Sequence, residues 1–142
     1  MADPVTRAEE LAEALAVVRG RIQVACEAAG RDPATVTLVA VSKTFPASDV
    51  AALAGLGVRD VGENRDQEAA AKATELADRD LRWHFVGRLQ RNKCRSVASY
   101  ASVVHAVDRV ELATALSAGA VRAGREVAAL VQVSVDGDPA RG

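Results

Sequence analysis

One lysine closes an otherwise apolar segment of the chain. Lys43 follows residues 36–42, VTLVAVS, a short run rich in β-branched residues that is typical of a strand buried on both faces. In folds that alternate strands and helices, ligand-binding groups collect at the carboxyl ends of the strands. A lysine amine held there in partly desolvated surroundings could attack an aldehyde and form an imine. A lysine that only reaches solvent as its strand ends is the plainer alternative, and position alone favours it.

Polar side chains occupy equivalent places further along the chain, at or just after each later predicted strand. These clusters are Gly62-Glu63-Asn64-Arg65, His84 with Gly87, His105 with Asp108, and Gln132 with Ser134. In a barrel of parallel strands the carboxyl ends share one rim, so the clusters would surround a single ligand.

These residues also have plainer interpretations as structure. Asn64 could cap the helix that follows it, and we expect helix capping to be the main role of Asp108. His84 alternates with two aromatic neighbours and could be a hydrogen-bonded core histidine. Glu63 and Glu68 are expected on a helix surface rather than as a catalytic pair.

Strands and helices alternate in the predicted order. A long helix covers about 5–30, where apolar residues recur at steps of three or four. The predicted strands are 36–43, 58–61, 82–86, 102–107 and 127–134, and the helices between them are 46–55, 64–78, 89–99 and 109–123. This order predicts parallel βα units, in a (β/α)₈ barrel or in an open doubly wound sheet. The first strand-to-helix turn, SKTFPAS, has no glycine, which argues against a dinucleotide site.

The composition is that of an ordinary globular chain. Its 142 residues are 49% hydrophobic, carry a net charge of −1 and include two cysteines in no metal-type spacing. We expect no nucleic-acid or membrane partner and a cytoplasmic location. The basic stretch at 88–95 is expected to be a solvated helix start. One domain is expected over 1–142, with an N-terminal helix region at 1–34 and βα units 1 to 5 at 35–142.

Five motifs in a fixed order carry a family resemblance. They are AVSKT at 40–44 followed by Pro46, GEN at 62–64 with Gln67 and Glu68, WHFVGRLQRNK at 83–93, HAVDR at 105–109, and VQV at 131–133. Together they resemble the pyridoxal phosphate homeostasis protein family, which is similar to the N-terminal barrel domain of alanine racemase. The third motif is the most specific of the five.

The resemblance implies an α/β fold, a (β/α)₈ TIM barrel of fold type III for pyridoxal 5′-phosphate (PLP), with only about the first five βα units present. It implies PLP as cofactor, with Lys43 as the Schiff-base lysine and Asn64, His84 and Ser134 around the ring. The family's Ser- and Gly-containing phosphate-binding loop would come after the last residue of this chain. Two positions depart from the family pattern: Asp66, where an apolar residue is usual, and Ser134, where Asn is frequent.

The function that the resemblance implies is intracellular PLP homeostasis, in which the protein holds PLP and hands it to apo-enzymes without a turnover of its own. One alternative is a fold type III amino-acid racemase, which needs an acid–base group on each face of the substrate carbon. Tyr100 is the only tyrosine, and its predicted place at a helix end does not supply that group. Another alternative is a Schiff-base aldolase without PLP. We expect residues 1–142 alone not to form a stable, PLP-saturated protein.

Overall fold

The computed structural model describes residues 6–140. Its helices are α1 (Arg7–Ala28), α2 (Ala47–Gly55), α3 (Asp66–Glu75), α4 (Cys94–Tyr100) and α5 (Val110–Ala123). Its strands are β1 (Val39–Val41), β2 (Asp60–Glu63), β3 (Arg82–Phe85), β4 (Ala101–Val107) and β5 (Ala128–Val131). Two single-turn 3₁₀ helices lie at Pro33–Thr35 and Arg91–Lys93. Among the described residues, no helix combines the length and the apolar character that crossing a membrane requires.

The long first helix is confirmed, and its start has a clear local cause. The Thr6 hydroxyl accepts from the backbone N–H of Glu9, and the Glu9 carboxylate accepts from the backbone N–H of Thr6. This capping box satisfies two backbone donors that the first turn leaves without partners. The predicted apolar stripe is only partly buried, because Leu15 and Cys26 are buried whereas Val18 is exposed.

All five strands are parallel and pair in sequence order, β1-β2-β3-β4-β5. A doubly wound sheet would need a reversal of strand order, and none occurs within residues 6–140. The arrangement within residues 6–140 is that of four consecutive βα units and a fifth strand of a (β/α)₈ barrel, so the predicted fold class is confirmed. The assignment of 1–142 as a single partial barrel domain stays a prediction.

Alternation along the strands separates two faces of the sheet. Val61 and Trp83 pack in one apolar core with α1 and α2, while Phe85 and Val104 pack in a second core with α4 and α5. Successive side chains of a strand point to opposite faces. The residues that alternate with these four core residues therefore belong to the other face of the sheet, here called the inner face. Asp60, Gly62, His84 and His105 are among the inner-face residues of β2, β3 and β4.

Several predicted boundaries are wrong, most clearly in the first and last strands. The predicted strand 36–43 is only Val39–Val41, and Val41 is 49% exposed rather than buried on both faces. Within residues 6–140, β1 is an edge strand with a partner on one side only, so fewer of its residues enter the ladder. The predicted strand 127–134 contracts to Ala128–Val131. The predicted helix 89–99 begins instead as the 3₁₀ turn Arg91–Lys93.

Candidate functional site

Lys43 occupies a tight turn directly beyond the carboxyl end of β1. The turn is closed by the backbone N–H of Phe45, which donates to the Ser42 carbonyl at 3.1 Å. Thr44 has a φ of 70°, in the left-handed region that a β-branched residue avoids. Backbone strain of this kind costs roughly 1–3 kcal/mol and persists only where the surroundings enforce it. The Lys43 side chain is exposed, so the partly desolvated surroundings expected from the sequence are not present.

A buried ion pair lies behind this turn, between β2 and α3. Lys72 Nζ donates to Glu63 Oε1 at 2.6 Å and to the Ser42 carbonyl at 3.0 Å. The Ser42 hydroxyl donates to the same Glu63 oxygen at 2.7 Å. Glu63 is 1% exposed, so the prediction that it belongs to a helix surface is wrong: it is the last residue of β2 and lies on the helix-covered face. Glu68 does lie on α3, half-buried, with its carboxylate on Arg65.

The sequence carried a signal for this pair that we did not use. Glu63 is two residues beyond Val61, so the period of a strand places both on the helix-covered face. Lys72 lies three residues after Ala69 and four before Leu76, so it falls on the apolar stripe of its helix. A charged residue on each of two facing apolar surfaces indicates a buried pair.

The loop after β2 carries Asn64 and packs tightly against the loop after β3. A Cβ atom built on Gly87 would lie 2.6 Å from the Asn64 carbonyl oxygen and 2.9 Å from its Cα. Only glycine therefore permits this approach. Among residues 6–140, the Asn64 side chain has no hydrogen-bond partner. The N-cap residue of α3 is Arg65, and no side chain makes a capping hydrogen bond there. The capping role considered for Asn64 is thus not observed.

Both histidines of the chain belong to one hydrogen-bonded chain on the inner face. His84 Nε2 lies 2.8 Å from Asp60 Oδ1, and His84 Nδ1 lies 2.9 Å from His105 Nε2. Arg82 donates to the second Asp60 oxygen at 2.6 Å. With Asp60 ionised and both imidazoles neutral, His105 donates to His84 and His84 donates to Asp60. His84 is therefore a buried, satisfied histidine, as its plainer interpretation proposed.

Burial and charge act in opposite directions on these groups. Burial alone would raise the pKa of Asp60, but the hydrogen bonds from Arg82 and His84 lower it below the ordinary value. Burial lowers the pKa of His105, and the neighbouring His84 lowers it further. The arrangement favours the ionised form of Asp60 and the neutral form of His105.

Ser134 lies beyond β5, in a segment that the sheet does not hold. The ladder ends where the Gln132 N–H donates to the Val107 carbonyl at 2.9 Å. Ser134 is half-buried, and its hydroxyl donates to Asp136 Oδ1 at 2.7 Å. Asp108, which we expected to cap α5, instead accepts from the Arg109 guanidinium at 2.7 Å, and Arg109 itself is the cap residue.

Tyr100 lies at the end of α4, as predicted, and points towards α3. Its hydroxyl donates to Asp66 Oδ1 at 3.2 Å, and the Ser96 hydroxyl donates to the same oxygen at 2.8 Å. Burial, with a smaller contribution from Asp66, strongly raises the pKa of Tyr100. Asp66, which departs from the family pattern, thus accepts hydrogen bonds from Ser96 and Tyr100 in this chain.

An open cleft of about 860 Å³ borders the Asn64 loop on the outer side of the rim. Its lining includes Arg88, Arg91 and Lys93, which form no ion pair within residues 6–140. The basic stretch therefore starts a helix on the surface, as the sequence predicted. Among residues 6–140, no group of three or more His, Cys, Asp or Glu side chains is placed to hold a metal ion.

The structure brings the predicted site residues together to different degrees. Lys43 and Asn64 follow neighbouring strands, which the Ser42 N–H to Gly62 carbonyl bond joins at 2.8 Å. His84 lies beside Gly62 on the next strand. Ser134 follows the far edge strand, separated from β2 by β3 and β4. The three roles assigned around a PLP ring stay predictions.

Comparisons with known proteins agree with this picture. No protein-family description matches the chain. In an alignment of 151 residues, it is 45% identical to the pyridoxal phosphate homeostasis protein of Mycobacterium leprae. The alignment covers 96% of this chain and 59% of that protein. It is 47% identical to the protein of the same name from Pseudomonas aeruginosa, over 92% of this chain and 57% of that one. PipY of Synechococcus elongatus, solved with PLP bound, has a TM-score of 0.74 and 39% identity, covering 88% of this chain and 55% of PipY.

The chain spans between half and three fifths of the length of these relatives. The resemblance predicted from the five motifs is confirmed: this chain is a relative of the pyridoxal phosphate homeostasis proteins.

Proposed function

We propose that this chain binds PLP through a Schiff base on Lys43 and serves PLP homeostasis rather than the turnover of a substrate. The observation that carries the proposal is the exposed Lys43 amine on a restrained turn at the carboxyl end of a parallel sheet. The names of the relatives and the PLP bound to PipY support the same cofactor.

The lysines of the chain leave few choices for the imine. The sequence has three lysines, at 43, 72 and 93. Lys72 is buried and paired with Glu63, whereas Lys93 is the last residue of the 3₁₀ turn Arg91–Lys93. Lys43 is the lysine at the carboxyl end of a strand, where barrels bind their ligands. Its Nζ would form the C=N bond to the aldehyde carbon of PLP, and the aldehyde oxygen would leave as water.

The other three residues have different capacities towards the ring. Asn64 has a side-chain amide without a partner among residues 6–140, so it can donate or accept without breaking an existing bond. Both nitrogens of His84 are engaged, so this residue would contact PLP only through carbon atoms of its ring. Ser134 would have to exchange its bond to Asp136 for one to the cofactor.

Tyr100 supports a carrier over a racemase. Two-base racemisation needs a second acid–base group opposite the lysine. Tyr100 is bonded to Asp66 between α3 and α4, and its raised pKa keeps the phenol protonated. Transfer of PLP to apo-enzymes and the cytoplasmic location predicted from the sequence belong to the same proposal.

An absorption experiment tests the cofactor and separates the alternatives. The chain is incubated with PLP, and its spectrum is recorded as a difference from the same concentration of free PLP, which is itself yellow, before and after borohydride. The unsubstituted chain is compared with the variants Lys43→Arg and Lys93→Arg. We expect a yellow, borohydride-sensitive species in the unsubstituted chain and in Lys93→Arg, and its loss in Lys43→Arg.

Three other outcomes would contradict the proposal. The yellow species surviving in Lys43→Arg would assign the imine to another lysine. A colourless protein that borohydride links to a sugar phosphate would indicate an aldolase. Enzyme-like exchange of the alanine α-hydrogen for solvent deuterium, with interconversion of both enantiomers, would indicate a racemase.

A further inference from the structure

We propose that the buried pair Glu63–Lys72 is a positioning device that holds the turn Ser42–Phe45 and thereby sets the presentation of Lys43. The turn's restraint is a property of the chain alone. Its consequence for PLP rests on the function proposed above.

Every polar group of Ser42 is engaged. Its N–H donates to the Gly62 carbonyl at 2.8 Å, and its hydroxyl donates to Glu63 Oε1 at 2.7 Å. Its carbonyl accepts from both Lys72 Nζ at 3.0 Å and the Phe45 N–H at 3.1 Å. That carbonyl belongs to the same planar peptide group as the N–H of Lys43. Lys72 therefore fixes the orientation of the peptide from which the Lys43 side chain leaves.

The turn needs such a restraint because its third residue is not glycine. Thr44 adopts a φ of 70°, a conformation that glycine reaches without strain and that a β-branched residue avoids. Without an outside restraint, the backbone of Thr44 would relax to negative φ and the closing bond from Phe45 would open. The bond from the Lys72 ammonium to the closing carbonyl is charge-assisted and excluded from water, so it is suited to holding the turn.

Stability alone does not account for the pair. An apolar pair of similar volume is often as stable as a buried ion pair, because two charges must lose their hydration. Glu63 Oε2 is buried without a hydrogen-bond partner among residues 6–140, so this site is not optimised for stability. What the charged pair provides, and an apolar pair would not, is a directed bond to the Ser42 carbonyl.

The test removes both charges together, so that neither is left alone in the core. In Glu63→Gln/Lys72→Met the side-chain volumes stay similar while the bond to the Ser42 carbonyl is lost. The single variant Glu63→Gln keeps an oxygen acceptor for Ser42 and Lys72, and it is the intermediate variant between the unsubstituted chain and the double variant. The matched control is Arg65→Gln/Glu68→Gln, which removes a more exposed ion pair, at 3.2 Å, at the start of the same helix.

Amide hydrogen exchange of the ligand-free chain is the first readout. We expect exchange of the Phe45 amide to become about 10-fold faster or more in the double variant. The Ser42 carbonyl accepts from that amide, and in the double variant this carbonyl loses its charge-assisted bond from Lys72. Glu63→Gln should give a smaller increase, and the control should give none. The amide of Leu116 in α5 should be unaffected in all variants. An unchanged Phe45 amide in both Glu63 variants would overturn the proposal.

Imine formation at Lys43 is the second readout, and Thr44→Gly provides the rescue. We expect the rate of borohydride-trapped pyridoxyl labelling at Lys43 to fall at least about 5-fold in the double variant, because the amine is no longer held in one geometry. Adding Thr44→Gly relieves the strain and should bring that rate to within about 2-fold of the unsubstituted chain. A merely structural role of the pair would leave labelling unaffected by Thr44→Gly, and that result would overturn the positioning role. If Lys43 of the unsubstituted chain is never labelled, the PLP proposal fails, whereas the exchange result still decides the restraint of the turn.

Discussion

The carboxyl ends of β2 and β5 differ sharply, although both are parallel strands that lead to predicted site residues. All four residues of β2 are buried, with Val61 0% exposed, and the strand ends in a buried ion pair. All four residues of β5 are exposed, with Val131 76% exposed, and Val133 beyond it is 75% exposed. Asn64 thus follows a strand that this chain organises completely, and Ser134 follows one that it does not.

The difference separates two halves of the proposed PLP site. The half with Lys43 and Asn64 is fixed by contacts within residues 6–140: a restrained turn, a buried pair and the close approach at Gly87. The half with Ser134 depends on a strand that has, among residues 6–140, one neighbour and apolar side chains in water. The chain spans about 59% of the Mycobacterium leprae relative, and we predict that the remaining segment of that relative packs against β5.

The largest expected effect comes from adding that segment. We would append to this chain the residues that follow the matching part of the Mycobacterium leprae protein. The free energy of unfolding should rise by roughly 4 kcal/mol or more, because each large apolar side chain withdrawn from water contributes about 1.5–3 kcal/mol. Urea unfolding and PLP retained after dialysis measure the two effects. An unfolding free energy and a PLP stoichiometry of the 142-residue chain equal to those of the extended chain would show that β5 needs no further partner.

The buried pair gives the next largest effect. Lys72→Met alone should lower the free energy of unfolding by about 3–5 kcal/mol, because it leaves the Glu63 carboxylate buried without its partner. Glu63→Gln/Lys72→Met should recover most of that loss. Arg122→Met on the exposed side of α5 is the control and should change stability by less than about 0.5 kcal/mol. Equal losses in the single and double variants would show that side-chain shape rather than charge matters at this site.

A matched truncation compares the two strands directly. Val61→Ala in β2 should lower the free energy of unfolding by about 1.5–3 kcal/mol, which is the burial contribution of the side chain. Val131→Ala in β5 should change it by less than about 0.5 kcal/mol, as for exposed positions in general. Chemical denaturation of the 142-residue chain measures both. A similar loss at the two positions would mean that β5 is covered in solution and that the contrast between the strands is false.

The smallest expected effect is a pH dependence from the inner face. Because the pKa of His105 is lowered on folding, the unfolded chain binds a proton there at a higher pH than the folded chain. Stability should therefore fall as the pH drops from 7 through about 6.5 towards 5, with a slope below about 1.4 kcal/mol per pH unit for one group. His105→Gln should flatten this slope. An unchanged slope in His105→Gln would show that His105 is not the source of the effect.

Sequence periodicity was sufficient for the fold but not for the edges. The order of strands and helices was predictable, because each element carries its own apolar pattern and breaker residues. The lengths of β1 and β5 were not predictable, because the sequence does not show that each of these strands pairs with one neighbour only within residues 6–140. Lys43 stood out at a strand end, whereas Glu63 was misassigned because its partner Lys72 is nine residues away on another element. The left-handed conformation of Thr44 had no sequence signal, because glycine is the usual residue there.

The central claim is that Lys43 is the PLP-binding lysine, and peptide mapping tests it most directly. The unsubstituted chain is mixed with PLP, reduced with borohydride and digested, and the pyridoxyl group is located by mass spectrometry among the three lysines. We predict that the label lies on the peptide containing Lys43, with Lys72 unlabelled and Lys93 labelled only at the level of a free surface amine. A label mainly on Lys93, or an equal distribution between Lys43 and Lys93, would contradict the account.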